Sequence, residues 1–330
     1  MNENGQSRIP ERRRFRRRMR IIRIKYIVSS FYNMSIYICD LENYHCVYAK
    51  EIYKIFNKNV LSDEFVIHKN GPSNANYIIT CLSDELNYPN YGDMDSARGE
   101  NYIENIVQFV NQHIEASNEQ KIVTFYCVLE NFTDNMINVC YSKNSNDTQS
   151  ILICPPAIRK LSFNNRTNKS YFISFKGNIF ASYYRFIIYE KFKKYNTSKN
   201  IIIHLTDNRY EYADLMLNST FSIIIEGDLP WSYRLTECIN AGSIPIIIKP
   251  KNNKNIYAFD ELVDYSKFSI IIDESEIDEL MTNILPNITQ EQIENMLSNL
   301  EIVNNKYFIS RKTQMSGVLK MLHNRRLAFS

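Results

Sequence analysis

The sequence predicts an α/β protein of two domains, each built on a parallel β-sheet covered by helices. Its 330 residues exceed what a single α/β core of ordinary size needs and suit two such domains. Near-continuous Ile and Val runs alternate with stretches of helical periodicity, which is typical of βαβ units. The hydrophobic fraction of 44% is enough to fill both cores.

The first half of the chain carries four predicted strands and two predicted helices. The strands are short apolar runs at residues 35–39, 77–82, 122–129 and 151–154. The helices are predicted at 47–56 and 102–114, the second from apolar residues that recur at helical spacing. A polar stretch at 157–170 is predicted to link the two halves.

The second half shows the same alternation more clearly. Strands are predicted at 171–175, 201–205, 221–225, 244–248 and 268–272. Helices are predicted at 184–195, 212–218, 231–240, 277–285, 290–300 and 308–327. The predicted organisation is a basic disordered tail (1–30), an N-terminal domain (31–165), a C-terminal domain (166–305) and a last helix (306–330) that packs back on the N-terminal domain.

Charge and cysteine content narrow the function classes. The net charge of +3 argues against a general nucleic-acid-binding protein, whose basic surface should dominate the sum. Eight arginines lie between residues 12 and 23, and a disordered tail, a membrane-surface contact, an RNA contact and the flank of an anchor all remain open for them. No apolar run reaches the ~20 residues of a membrane-spanning helix. Seven cysteines without CxxC spacing predict buried free thiols and no metal site.

The most informative segment runs from residue 221 to residue 250. A buried strand is followed by a Gly227-Asp228 turn, and a helix begins near Ser232, which is suited to cap it. Gly242 is placed to end that helix before the next strand. Ligands of open α/β sheets bind at the carboxyl ends of strands, where helix N-termini favour phosphate. The segment therefore predicts a site for an anionic nucleotide.

Arg234 and Glu237 lie three residues apart, on one face of this helix. Arginine can grip a diphosphate through two parallel hydrogen bonds, and a carboxylate can accept both hydroxyls of a ribose. The alternative is an ordinary surface ion pair that contributes a few tenths of a kcal/mol. Spacing alone leaves both interpretations open.

Several short motifs in this half recur in the same order in one known family. The segment carries Trp231-Ser232, Arg234, Glu237, Ala241-Gly242 and Ile244-Pro245. Upstream lie Ser174-Phe-Lys176-Gly177 and Arg185, and downstream lies the stretch 259–268. Together these motifs resemble the core of the exostosin family of glycosyltransferases.

The resemblance implies a GT-B fold, in which two Rossmann-like α/β domains face each other across a cleft. It implies transfer of a hexose or pentose from a UDP-sugar donor to a hydroxyl of a glycan or glycoconjugate, inverting and independent of metal or other cofactor. The implied donor-binding residues are Arg234, Lys176, Arg185, Gly227 and Ser232 around the diphosphate and Glu237 on the ribose. The resemblance identifies no catalytic base. Family members are usually Golgi proteins, and a complete, unanchored chain would instead be cytoplasmic.

One departure from the family pattern supports an alternative function. Ile225-Glu226 stands where the family usually carries Pro-Arg, so an anion replaces a cation that would favour phosphate. The alternative is an inactive glycosyltransferase-like protein that binds a glycan or a partner. A third hypothesis, association with RNA, rests only on the arginine-rich segment, and no nucleic-acid partner is expected.

Overall fold

A computed structural model describes the protein over twelve stretches of the chain. They are residues 34–38, 65–67, 75–80, 121–125, 136–140, 150–153, 161–178, 183–195, 201–204, 209–226, 233–249 and 257–329. The arginine-rich segment and the helices predicted at 47–56 and 102–114 lie outside these residues.

The first sheet consists of six strands within the described ranges. In chain order they are β1 (Met34–Ile38), β2 (Phe65–Ile67), β3 (Tyr77–Thr80), β4 (Lys121–Phe125), β5 (Met136–Cys140) and β6 (Ile151–Leu152). Their spatial order is β2-β1-β3-β4-β5-β6, and each neighbouring pair is parallel. The four predicted strands are confirmed, with β1 shifted by one residue and β3, β4 and β6 shorter than predicted, whereas β2 and β5 were not predicted.

The second sheet contains five parallel strands. They are β7 (Tyr171–Lys176), β8 (Ile201–His204), β9 (Ser219–Ile224), β10 (Ile244–Ile248) and β11 (Ile270–Ile272), in the spatial order β11-β10-β9-β7-β8. Every residue of β9 and β10 is buried, because a parallel sheet is covered on both faces. All five predicted strands are present.

Five longer helices accompany the second sheet. They are α1 (Tyr183–Lys193), α2 (Arg209–Leu217), α3 (Tyr233–Ala241), α4 (Gln290–Val303) and α5 (Arg311–Phe329), each close to its predicted position. Thr289 caps α4, and its capping box with Gln292 explains the sharp start of this helix.

The stretch predicted as one helix at 277–285 is helical but irregular. A short α-turn at Ile277–Glu279 continues into a widened turn at Leu280–Ile284. Leu280 and Leu285 are both buried, and a spacing of five residues suits the i→i+5 geometry of a π-turn better than regular α-helix.

The strand orders locate the sites at which ligands can bind. In each sheet the chain starts at one strand, adds the next strand on one side, and then crosses to the other side. The switch points are therefore between β1 and β3 and between β7 and β9. This is the doubly wound, Rossmann-like arrangement, in which ligands bind outside the carboxyl ends of the strands at the switch point.

Among the described residues, hydrogen bonds join the C-terminal third of the chain to the first sheet and to the residue before β6. The Tyr77 hydroxyl in β3 donates to the Leu322 carbonyl of α5 at 3.0 Å. The Phe259 amide donates to the Leu152 carbonyl of β6 at 2.9 Å. Arg325 of α5 donates to the Ser150 carbonyl and pairs with the Glu261 carboxylate. The domain boundaries themselves stay predictions.

Two further sequence predictions concern cysteines and membrane segments. Cys140 and Cys238 are buried free thiols, as predicted, and the other five cysteines lie outside the described residues. Across the part of the chain that the structure describes, no helix combines the length and apolarity needed to span a bilayer.

Candidate functional site

The predicted site lies at the switch point between β7 and β9. Lys176 is the last residue of β7, and Glu226 follows β9 by two residues. Since parallel strands end at the same edge of a sheet, both residues stand where the fold favours a ligand. Gly227 and Ser232 lie outside the described residues, so the predicted turn and cap stay predictions.

Arg234 and Glu237 are both buried on α3. Arg234 is only 7% exposed and Glu237 only 3% exposed. Charged groups are rarely buried to this extent unless other groups compensate them. The alternative interpretation, a solvent-exposed ion pair, is therefore wrong.

Two aromatic rings lie close to the Arg234 guanidinium. Its Cζ atom lies 4.6 Å from the ring centroid of Phe175 in β7 and 5.0 Å from that of Tyr212 in α2. Both distances are in the range of cation–π attraction. Gly177 allows this placement, because a Cβ atom at that position would clash with the Arg234 Nη2 atom. The glycine after β7 therefore makes room for the guanidinium.

Tyr212 also contacts the second predicted residue. Its hydroxyl is hydrogen-bonded to the Glu237 carboxylate. Burial raises the pKa of Tyr212 well above its usual value, the nearby Arg234 charge lowers it, and the Glu237 carboxylate raises it further. The hydroxyl thus stays protonated and donates at neutral pH. The sequence placed Tyr212 at the start of a helix but gave no signal that it faces α3.

Arg185 connects the ends of the two strands at the switch point. From α1, its Nη1 atom donates to the Asn178 carbonyl at 2.9 Å, and its Nε atom donates to the Glu226 carbonyl at 3.0 Å. A longer contact of 3.4 Å joins its Nη2 atom to the Ile225 carbonyl. These bonds indicate that Arg185 fixes the backbone beyond β7 and β9. Its predicted contact with a diphosphate stays a prediction.

Glu226 carries a partly buried carboxylate near Arg185, whose hydrogen bonds to the backbone beyond β7 and β9 are called the Arg185 clamp below. Desolvation raises its pKa, and the Arg185 charge opposes that rise. An anion at this position disfavours a phosphate group placed nearby. The replacement of the family's arginine by Glu226 is therefore expected to weaken phosphate binding at this site.

The opposite end of α3 is built differently. Gly242 ends the helix at φ +72°, a left-handed conformation, and an added Cβ atom would lie 2.6 Å from the Asn164 carbonyl oxygen. The Asn164 amide donates to the Ala241 carbonyl at 3.1 Å. The Lys169 Nζ atom donates to the Gly242 carbonyl at 2.6 Å. The 161–169 segment therefore packs directly on this helix end.

Two titratable groups are perturbed at this end. Burial lowers the pKa of Lys169 to about 8, against a smaller opposing effect of Cys238. Burial also raises the pKa of the Cys238 thiol to about 12, and the thiol donates to the Ser243 carbonyl. Cys238 is thus a protonated, inert core residue at neutral pH.

Within the described ranges, no group of three or more His, Cys, Asp or Glu side chains is arranged to hold a metal ion. The expected independence from metal stays a prediction.

Solved structures similar to this protein are glycosyltransferases of low sequence identity. An α1,3-fucosyltransferase with GDP is 10% identical, with a TM-score of 0.39, over 92% of this chain and 94% of the other. A glycosyltransferase of lipopolysaccharide biosynthesis, WaaG, is 9% identical, with a TM-score of 0.38, over 87% and 99% of the two chains. The fold assignment rests on the two doubly wound sheets described above.

Sequence comparison gives a more specific relationship. Mouse exostosin-2 is 26% identical over 116 residues, which are 35% of this chain and 16% of the mouse protein. The exostosin-1 homologue of Caenorhabditis elegans is 25% identical over 119 residues, covering 36% and 30% of the two chains. The match thus spans less than a third of either relative. Residues 138–288 also match the sequence profile of the Exostosin GT47 domain, a range that starts within β5, includes β6 to β11 and contains the whole candidate site. This part of the chain is therefore similar to an exostosin-type glycosyltransferase domain.

Proposed function

We propose that this protein transfers a sugar from a UDP-sugar to a hydroxyl group of a glycan or glycoconjugate. The observation that carries the proposal is the buried pair Arg234 and Glu237 at the switch point of the second sheet, inside the exostosin-like domain. A buried cation and a buried carboxylate beside strand ends suit a diphosphate and a ribose.

The proposed roles follow from the chemistry of the leaving group. The diphosphate gains negative charge as the bond between the sugar and the donor phosphate breaks. Arg234 and Lys176 stand at the strand ends where that charge would develop, and fixed cations stabilise it without reorganisation. Glu237 accepts hydrogen bonds from the ribose hydroxyls. Inversion at the sugar, independence from metal and the identity of the base remain parts of the proposal.

Titration calorimetry with UDP tests the proposal. The wild-type protein should bind UDP with a Kd of roughly 1 μM to 1 mM, the usual range for enzyme substrates. Glu237→Gln should weaken binding about tenfold or more, because the amide replaces a charged acceptor. Glu294→Gln is the matched control on the exposed face of α4 and should leave the Kd unchanged.

The proposal is contradicted if the wild-type protein has no affinity for UDP, or if Glu237→Gln binds UDP as the wild type does. An assay of UDP-sugar hydrolysis then separates binding from turnover. Hydrolysis lost in Glu237→Gln and kept in Glu294→Gln supports an active enzyme.

A binding protein without activity is the second candidate, and Glu226 favours it. This carboxylate stands beside Arg185 where the family pattern has arginine. If the anion weakens phosphate binding, Glu226→Arg should raise UDP affinity about tenfold, since it replaces a repulsion with an attraction. Glycan binding without UDP affinity in either protein would favour the binding-protein candidate.

A further inference from the structure

Tyr212 contacts both predicted ligand-binding residues of α3. Its ring faces Arg234 at 5.0 Å, and its hydroxyl is hydrogen-bonded to Glu237. The residue comes from α2, so it links a neighbouring helix to the functional face of α3. Neither its position nor its residue type was singled out by the sequence.

The two contacts of Tyr212 act on different groups. The rings of Tyr212 and Phe175 both lie within cation–π distance of the Arg234 guanidinium, so together they restrict where it can lie. The hydroxyl donates to an ionised acceptor, and such charge-assisted hydrogen bonds are about twice as strong as neutral ones. A tyrosine has only two side-chain torsions, so it holds both partners at a small cost in conformational entropy.

Orientation matters for both predicted roles. A carboxylate that accepts two ribose hydroxyls must present its oxygens along fixed directions, and a free rotation of the Glu237 side chain would blur that geometry. Groups held in place before the ligand arrives bind it more tightly, because less motion is lost on binding.

We propose that Tyr212 is a positioning residue of the nucleotide site, whose hydroxyl aims Glu237 at the ribose and whose ring aims Arg234 at the diphosphate. The inference rests on the proposed function and adds a residue and a division of labour to it. Its specific consequence is that the hydroxyl and the ring control affinity for different parts of the same ligand.

The test compares UDP with 2′,3′-dideoxy-UDP, which lacks the ribose hydroxyls. Affinities for both are measured by calorimetry with the wild type, Tyr212→Phe and Tyr212→Leu. Tyr212→Phe should weaken UDP binding about five- to tenfold and leave dideoxy-UDP binding unchanged, so that the preference for the ribonucleotide falls. Tyr212→Leu should weaken binding of both ligands, because the ring over Arg234 is also lost.

A matched control comes from elsewhere in the same domain. The exposed Tyr195 hydroxyl donates to the Asp278 carboxylate at 2.6 Å, so Tyr195→Phe also removes a bond from tyrosine to a carboxylate. This variant should keep the wild-type preference for the ribonucleotide. The preference is a ratio measured on one protein, and a general loss of stability therefore does not imitate the effect.

A double variant gives an independent check. If Tyr212 acts through Glu237, adding Tyr212→Phe to Glu237→Gln should produce no further loss of the ribonucleotide preference. An unchanged preference in Tyr212→Phe, or a further loss in the double variant, overturns the inference while the proposed function stands. Absence of UDP affinity in the wild type overturns the proposed function and the inference with it.

Discussion

The two ends of helix α3 are both closely packed, but the start buries charged side chains and the end is fixed by backbone contacts. At its start, Arg234 and Glu237 are buried against rings and a hydroxyl contributed by neighbouring elements. At its end, Gly242 is closed over by the backbone of the 161–169 segment. One end presents charged side chains at the carboxyl edge of the sheet, and the other fixes the helix by close backbone packing. The difference indicates that ligand affinity and stability can be changed separately at the two ends.

The largest expected effect is at the packed end. Gly242→Ala should lower the free energy of unfolding by about 3 kcal/mol or more, since it combines a left-handed backbone with a steric clash against Asn164. Urea denaturation measures this loss. Gly177→Ala is the matched change at the other end, where the Cβ atom meets a side chain. It should cost less stability and should weaken UDP binding. A smaller stability loss in Gly242→Ala than in Gly177→Ala would contradict the conclusion that backbone packing fixes the end of α3.

The second effect compares the buried Arg185 with an exposed arginine. Arg185 bonds to backbone carbonyls beyond β7 and β9, so Arg185→Met should lower the free energy of unfolding by about 2 to 3 kcal/mol through unsatisfied carbonyl groups. Arg311→Met, at an exposed position, should change it by less than about 0.5 kcal/mol. Denaturation curves for the two variants provide the measurement. Equal stability of Arg185→Met and the wild type would contradict the clamp.

The third effect is a pH dependence that belongs to the packed end. The folded-state pKa of Lys169 is about 8, below its ordinary value of 10.5. The folded protein therefore binds fewer protons than the unfolded chain between these values, and stability should rise as pH increases from about 8 to about 10.5. The rise should be about 2 to 3 kcal/mol over this range, because each unit of pKa shift corresponds to about 1.4 kcal/mol.

Lys169→Met should lack this rise. The raised pKa values of Tyr184 and Tyr257 lower stability as pH rises above their ordinary value, but they do so in both proteins. The difference between the two denaturation series therefore isolates Lys169. A difference that stays constant from pH 7.5 to pH 10 would show that the amine keeps its ordinary pKa.

The smallest effect sharpens the description of the ligand-binding end. The pKa of Glu226 is raised by burial, so its stabilising contribution is fully present below its ordinary pKa of about 4.5 and is lost as pH rises through the folded-state value. Glu226→Gln should be more stable than the wild type at pH 7 by less than about 1 kcal/mol, because the group is half-exposed. Thermal unfolding at pH 7 and pH 4.5 should show the gain shrinking toward the lower pH. A gain that grows on acidification would contradict the raised pKa.

The sequence predicted the second sheet well and the first sheet less completely. Long Ile runs such as 244–248 have one physical explanation, a strand buried on both faces. β5 carries Asn138 in its centre and β2 has only three residues, so neither stands out from its surroundings. Burial of Leu280 and Leu285 together depends on tertiary packing, which periodicity at 3.6 residues does not anticipate.

The site was predictable only where chemistry lies close together along the chain. Arg234 and Glu237 share one helix, so spacing placed them on one face. Tyr212 joins them through the packing of α2 on α3, a contact that no local pattern encodes. Arg185 donates hydrogen bonds to backbone carbonyl groups. Every residue has such a group, so the residue types in the sequence do not identify its partners. The sequence therefore placed Arg234 and Glu237 together, but it missed Tyr212 and the backbone partners of Arg185.

The amide of Phe259 donates to Leu152 in the first sheet, while its ring is fully buried in the C-terminal region beside Tyr307 and Phe308. One residue thus belongs to both halves of the molecule, with its backbone in one and its side chain in the other. A shift of the first sheet against the C-terminal region would therefore strain the backbone bond of Phe259 without exposing its ring, and it would also strain the bonds that Tyr77 and Arg325 make across the same boundary.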